Sequence, residues 1–248
     1  MISSLENKSA EKDNVIGAVL PHAGYIYSGQ VAVETVSGIN IKENLILIGP
    51  NHTGLGALYS IMTQGAWQTP LGEIKINEEL AGLILEKSGC LENDDLAHLS
   101  EHSLEVEIPI IQYFRSDFKI VPITIMGADK NCLSRIAQAI AAAVKEKGLS
   151  ESTLIIASSD MTHYETKDSA LKKDNLAIEA ITALNEEKLA SLIGEYDISM
   201  CGFLPVTVLI ESAKALGAKS AKLIKYQTSG DATGDYESVV GYAGITIK

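Results

Sequence analysis

Arginine is almost missing from this sequence: Arg115 and Arg135 are the only two. Lysine and arginine together number 20 against 32 acidic residues, a formal net charge of -12. Such a chain repels a phosphate backbone, and no stretch clusters Lys and Arg with aromatics, so nucleic acid is not an expected partner. Cysteine is scarce too, with Cys90, Cys132 and Cys201 forming an odd set without paired Cys-x-x-Cys spacing. That count argues against a disulfide scaffold and a zinc ribbon, and it suits a reducing, cytoplasmic setting. No apolar run approaches membrane-spanning length, and Met1 to Asn14 carries several charges and no apolar segment. The expectation is an unanchored protein with a flexible segment over residues 1–14. There is no Gly-x-Ser-x-Gly elbow and no His-Glu-x-x-His, and the run Gly49 to Gly54 is followed by Leu55 where a phosphate loop needs lysine. Triad hydrolases, zincins and P-loop nucleotide binders therefore lack their chemistry.

What is present is apolar material in short, regular pieces. With 248 residues, 46% of them hydrophobic, the chain can build one large core, and it reads as a single domain over residues 1–248. Runs rich in β-branched residues at Val15 to Leu20, Asn44 to Ile48, Lys119 to Ile125 and Thr153 to Ala157 predict buried strands. Between them, Leu133, Ile136, Ala137, Ile140, Ala141 and Val144 form one helical stripe that ends at Lys145, Lys147 and Gly148. Asn77 followed by Glu78 and Glu79, with Lys87 and Gly89 at the far end, predicts another helix. Further helices are expected over residues 166–184 and 186–193, from near Pro205 to Gly217, and through Leu104, Ile108 and Ile111 with His102 near its start. Residues 221–228 and 237–247 read as strands joined by a turn-rich link, and Thr69 to Glu73 as a turn between short strands. Strands alternating with helices predict an α/β fold with a mostly parallel, mixed-edge sheet covered by helices on both faces.

In such sheets ligands bind beyond the carboxyl ends of the strands. His22 follows the first strand, His52 the second, and Asp160 and His163 a later one. A lone histidine in a loop is ordinarily satisfied by backbone, but three on one rim point to metal binding, which neutral imidazole shares with Cys and carboxylates. Cys201 precedes the helix near Pro205, where the helix dipole favours thiolate, so it suits a ligand or a nucleophile. Cys90 and Cys132 lack such a setting and read as small buried packing residues. His98 lies in a polar stretch and receives no role.

The segments Pro21-His22-Ala23-Gly24-Tyr25, Gly49-Pro50-Asn51-His52 and Glu101-His102-Ser103-Leu104-Glu105 resemble the MEMO family. So do Ser158-Ser159-Asp160-Met161-Thr162-His163-Tyr164, Cys201-Gly202-Phe203-Leu204-Pro205 and the ending Thr228-Ser229-Gly230-Asp231 with Val240-Gly241-Tyr242-Ala243-Gly244. Six motifs in family order from residue 21 to 244 are highly specific. The family includes protein B of the AmmeMemoRadiSam system, and its fold resembles the class III extradiol dioxygenases of the LigB type, a three-layer sandwich. The resemblance assigns one metal ion to His22, His52 and Cys201, and thiolate donation makes Fe(II) the first expectation, with copper or zinc the alternatives. The dioxygenases use two histidines and a carboxylate, so a thiolate would stand here as the third ligand.

Two imidazoles and a thiolate leave metal positions open to substrate. The site reading gives His163 the part of general acid or base, Asp160 that of orienting a histidine, and His102 and Tyr25 supporting places around the ligands. Capping or packing would also explain His102, and burial against the sheet Tyr25. Three functions follow: a metal-dependent, dioxygenase-like oxidoreductase acting on an unknown small molecule; a non-catalytic binding or scaffold protein; or a redox or metal partner of a radical-SAM protein of the same system. The scaffold reading needs a basic pocket for phosphate, and the metal motifs contain neither Lys nor Arg.

Overall fold

The structure, a computed structural model, describes residues 12–248. The first strands are the buried runs expected: β1 (Gly17–Leu20), β2 (Asn44–Pro50), β7 (Lys119–Ile125) and β8 (Thr153–Ser158). Nearly every side chain in them is buried, as befits parallel strands covered on both faces, which show continuous apolar runs rather than alternation. Between β2 and β7 lie β3 (Tyr59–Ile61), the hairpin β4 (Ala66–Thr69) and β5 (Gly72–Lys75), and β6 (Glu92–Asn93). The C-terminal part adds β9 (His163–Glu165), β10 (Ala221–Thr228) and β11 (Val239–Ile247).

The main sheet has nine strands in the order β10-β11-β1-β8-β2-β7-β3-β6, with β9 paired to β11. Its centre, β1-β8-β2-β7, is parallel, whereas β11 runs antiparallel to β1 and to β10, and β3 antiparallel to β7. This is the mixed, mostly parallel α/β sheet expected from the alternation of strand and helix patterns.

The helices are α1 (Tyr25–Ser37), α2 (Glu78–Ser88), α3 (Ile108–Phe114), α4 (Lys130–Glu146), α5 (Lys167–Thr182), α6 (Glu186–Glu195), α7 (Phe203–Ala215) and α8 (Gly230–Thr233). Glycines record their two layers. A Cβ on Gly17 of β1 would strike Leu209 of α7, and one on Gly244 of β11 would strike Thr35 of α1. Gly17 pairs with Ile247, three residues from Gly244, so α7 and α1 cover opposite faces. Gly49 of β2 meets Ser103 and Leu104 on the α1 side. Its missing side chain lets the segment before α3 lie directly on the sheet, close to His52.

Helix starts follow the capping chemistry. Asn77 accepts from the Leu80 N–H, Asp129 from those of Asn131 and Cys132, Thr166 from Ser169 and Asn185 from Lys188. Two expectations differ. The helix predicted through Leu104 begins only at Ile108, because Pro109 is tolerated in a first turn but would clash with the preceding turn of a longer helix. The link expected as turns between β10 and β11 contains the short α8. The expected flexible segment falls for residues 1–11 outside the described residues, while Asp13 is bridged to Ile39 and paired with Lys248. Among the described residues no helix is long and apolar enough to cross a membrane.

Candidate metal centre

The carboxyl ends of β1, β2 and β8 deliver His22, His52 and Asp160 to one rim, and the turn before α7 brings Cys201, 179 residues beyond His22, to the same place. That turn is seated by Gly202. A Cβ there would overlap the Ser158 carbonyl and Ser159, and its N–H donates to Ser159 Oγ at 3.0 Å. The ligating atoms of His22, His52 and Cys201 all lie within 4.8 Å of one another. Cys201 Sγ stands 3.4 Å from His22 Nε2.

Hydrogen bonds fix which nitrogen each imidazole offers. Ser158 Oγ donates to the Ser103 carbonyl at 2.7 Å, so it accepts from His22 Nδ1 at 2.7 Å. The His22 Nε2 lone pair is thereby left facing the sulfur. His52 Nδ1 sits 3.0 Å from Glu101 Oε1, which leaves its Nε2 free in the same way. Burial pushes the Glu101 carboxyl up, but hydrogen bonds from the His52 ring and from the His52 and Ser103 main chain outweigh it and bring it down to about 2. An ionised carboxylate behind a histidine is the usual support of a metal-ligating ring.

Burial, then the neighbouring His52 and His102, lower His22 to about 3, so it is a neutral imidazole with a lone pair to give. The hydrogen bond to Glu101 raises His52. The expected thiolate at Cys201 is corrected: burial, and then Asp160, push the thiol up to about 12 in the metal-free protein, against the helix dipole. A cation bound among these donors would reverse that balance. His22 as a neutral imidazole, and His52 and the Cys201 thiol each able to give up a proton on ligation, form a donor set that fits a transition metal.

The remaining site residues stand as follows. Asp160 is buried and accepts from the main-chain N–H of His22 (2.9 Å) and Ala23 (3.3 Å); it clamps the loop that carries His22 rather than an imidazole ring. His163 is outside the trio, its Nδ1 2.9 Å from the Ser199 carbonyl, yet close enough for its charge to act on His22 and Asp160. The His102 ring stacks on His52 at 5.1 Å and lies 5.6 Å from His22. It caps no helix, and with His52 and Glu101 it forms a second cluster of ligating atoms. Glu101 already holds His52 Nδ1, so the His22, His52 and Cys201 set has the freer donors. Tyr25 is not buried on the sheet: it is 42% exposed, and its hydroxyl donates to the Val106 carbonyl at 2.8 Å.

Beside the centre lies a cavity of about 640 Å³ lined by Tyr25, Met62, Trp67, His98, Glu101 and Glu105 among others. Glu101 therefore touches both the cavity and His52. Glu101 and Ser158 were given no role from sequence, although both stand inside motifs quoted for the family resemblance, each in a different motif from the histidine it supports. His98 is buried, its Nε2 3.2 Å from Ser60 Oγ. Cys90 and Cys132, expected as buried packing residues, are only half-buried, and their sulfurs lie 2.7 Å apart.

A family profile described as Memo-like protein matches residues 1–246. This chain belongs to the Memo-like family. It is 43% identical over 236 residues to a MEMO1 family protein of Methanopyrus kandleri, covering 94% of this chain and 83% of the relative. A MEMO1 family protein of Aquifex aeolicus is 43% identical over 246 residues, covering 99% of this chain and 90% of the relative. The fold is similar to the crystal structure of an uncharacterised protein of Escherichia coli K12, with a TM-score of 0.65 over 94% of this chain and 99% of that one. At 12% identity this shows a shared fold. The three-layer architecture expected from the MEMO resemblance is the one found.

Proposed function

We propose that this MEMO-family chain holds one metal ion on His22, His52 and Cys201 and works as a non-haem, dioxygenase-like oxidoreductase on a small molecule. The observation that carries the reading is the convergence of the Cys201 sulfur with two imidazoles whose Nδ1 atoms are already engaged. Thiolate donation from Cys201 ranks Fe(II) first, and copper and zinc suit the same donors. When bound, the metal would supply a Lewis-acidic, redox-active centre with positions open to a small ligand.

The chain's own residues do the rest. Ser158 and Glu101 hold the two rings in the ligating tautomer, and Asp160 anchors the loop that carries His22. Cys201 would hold the ion as a thiolate, so uptake would release its proton to solvent. His163, with Nδ1 tied to Ser199, keeps Nε2 available to take or give a proton at the rim. The neighbouring cavity would admit a molecule with an apolar body, since Met62 and Trp67 form part of its wall.

Metal analysis of anaerobically purified protein, with an absorption-edge scan for identity, tests the site. Wild-type protein carries one ion per chain, and His22→Ala and Cys201→Ser lose it. Unchanged metal content in either variant overturns the assignment. His163→Ala keeps the ion and loses oxygen-dependent turnover of small aromatic test substrates; a variant as active as wild type removes His163 from the reaction.

A further inference from the structure

The Cys90–Cys132 contact lies outside the metal centre. Cys90 follows the end of α2 at the left-handed Gly89 (φ 56), and the Ser88 hydroxyl accepts from the N–H groups of Cys90 (3.4 Å) and Leu91 (3.1 Å). Cys132 sits in the first turn of α4, its N–H held by Asp129 at 3.3 Å. Both main chains are thus fixed, α2 and α4 pack side by side, and the sulfurs meet at 2.7 Å. Arg135, one turn further along α4, lies over Gly89 and places a guanidinium beside the pair. Both residues are half-buried, packed on the core at one side and open to a small reagent at the other. Cys201, the third cysteine, belongs to a different part of the molecule.

We propose that Cys90 and Cys132 are a reversible thiol–disulfide site whose reaction partner is a low-molecular-weight disulfide of the glutathione type. One cysteine, as thiolate, attacks the small disulfide; a sulfur–sulfur bond forms to the protein and one small thiol leaves. The second cysteine then attacks the protein-bound sulfur, and the second small thiol leaves. The pair loses two electrons and the small disulfide gains them, while the two cysteine protons end on the two released thiols. The close approach of the second sulfur makes this step faster than escape of the mixed disulfide. Closing the bond would tie the end of α2 to the start of α4, two elements 42 residues apart in the chain, and restrain the unfolded state. The thiol–thiol hydrogen bond pushes Cys132 up to about 11, so the reduced pair is not a double thiolate.

The test incubates reduced, metal-loaded protein in a series of oxidised-to-reduced glutathione ratios, then blocks free thiols with N-ethylmaleimide for intact-mass and peptide analysis. The expected product is lighter by two hydrogens before blocking, takes up the blocker at Cys201 in the denatured state only, and yields a peptide joining Cys90 to Cys132. It also unfolds at a higher temperature than the reduced protein. Cys132→Ser gives instead a stable glutathione adduct at Cys90, the trapped first step. Wild-type protein that accumulates glutathione adducts without the linked peptide, or that stays fully reduced at the most oxidising ratio, overturns the proposal.

Discussion

Two residues that ligate nothing set the chemistry of the two that do. Ser158 hands its own proton to the Ser103 carbonyl and so must accept from His22; Glu101 accepts from His52. Ser158→Ala and Glu101→Gln should each fold and weaken metal binding by about 10- to 100-fold, read by competition with a chromophoric chelator. Affinity equal to wild type would mean that the rings need no such support. His98 gives a separate test away from the metal. Burial lowers it from 6.5 to about 4, so between those values the unfolded chain takes up a proton that the folded chain refuses. Stability contributed by this group is complete above about pH 6.5 and falls as the pH drops toward 4, by at most about 3 kcal/mol. His98→Gln should flatten the pH dependence of urea unfolding in that window, leaving the share due to His22. At this scale the sequence was partly legible: His22 and His52 declared themselves by position at strand ends, and Cys201 by its place just before a helix. Glu101 did not, because only the Gly49 contact reveals that its segment folds back onto β2.

Whole elements were easier to read than their supporting contacts. The continuous apolar runs became the parallel centre of the sheet, and Asn77, Asp129, Thr166 and Asn185 cap the helices they precede. What escaped were pieces too short to carry a period: β3, β6 and β9 have two or three residues each, and α8 has four. The late start of α3 depends on a proline whose tolerance differs between a first turn and an interior one. Two substitutions test elements directly. Asn185→Ala removes the one side-chain cap of α6, accepted from the Lys188 N–H at 2.8 Å, and should cost about 1 kcal/mol in denaturant unfolding with no change in metal content. Gly202→Ala should do the reverse in emphasis. The added methyl pushes the turn before α7 off the end of β8, so metal content falls sharply together with a stability loss of about 1–3 kcal/mol.

At the scale of the whole molecule, the net charge of -12 and the scarcity of arginine sit beside a centre whose own motifs contain no lysine or arginine. A cation approaching the rim meets a field that favours it, with Glu101 ionised at the back of the site. Metal loading should therefore slow as ionic strength rises, measured by stopped-flow uptake, whereas a neutral ligand for the cavity should show no such dependence.

The wide sequence separation of His22 and Cys201 gives the centre a place in time as well as in space. A clasp between the first strand and the turn that opens α7 closes only after the sheet between them has formed. Such a clasp belongs to the end of folding and adds little to the transition state on the way in. Metal should leave the refolding rate nearly unchanged and slow unfolding, so that loss of the ion and loss of the fold occur with one rate constant when the chain is forced open.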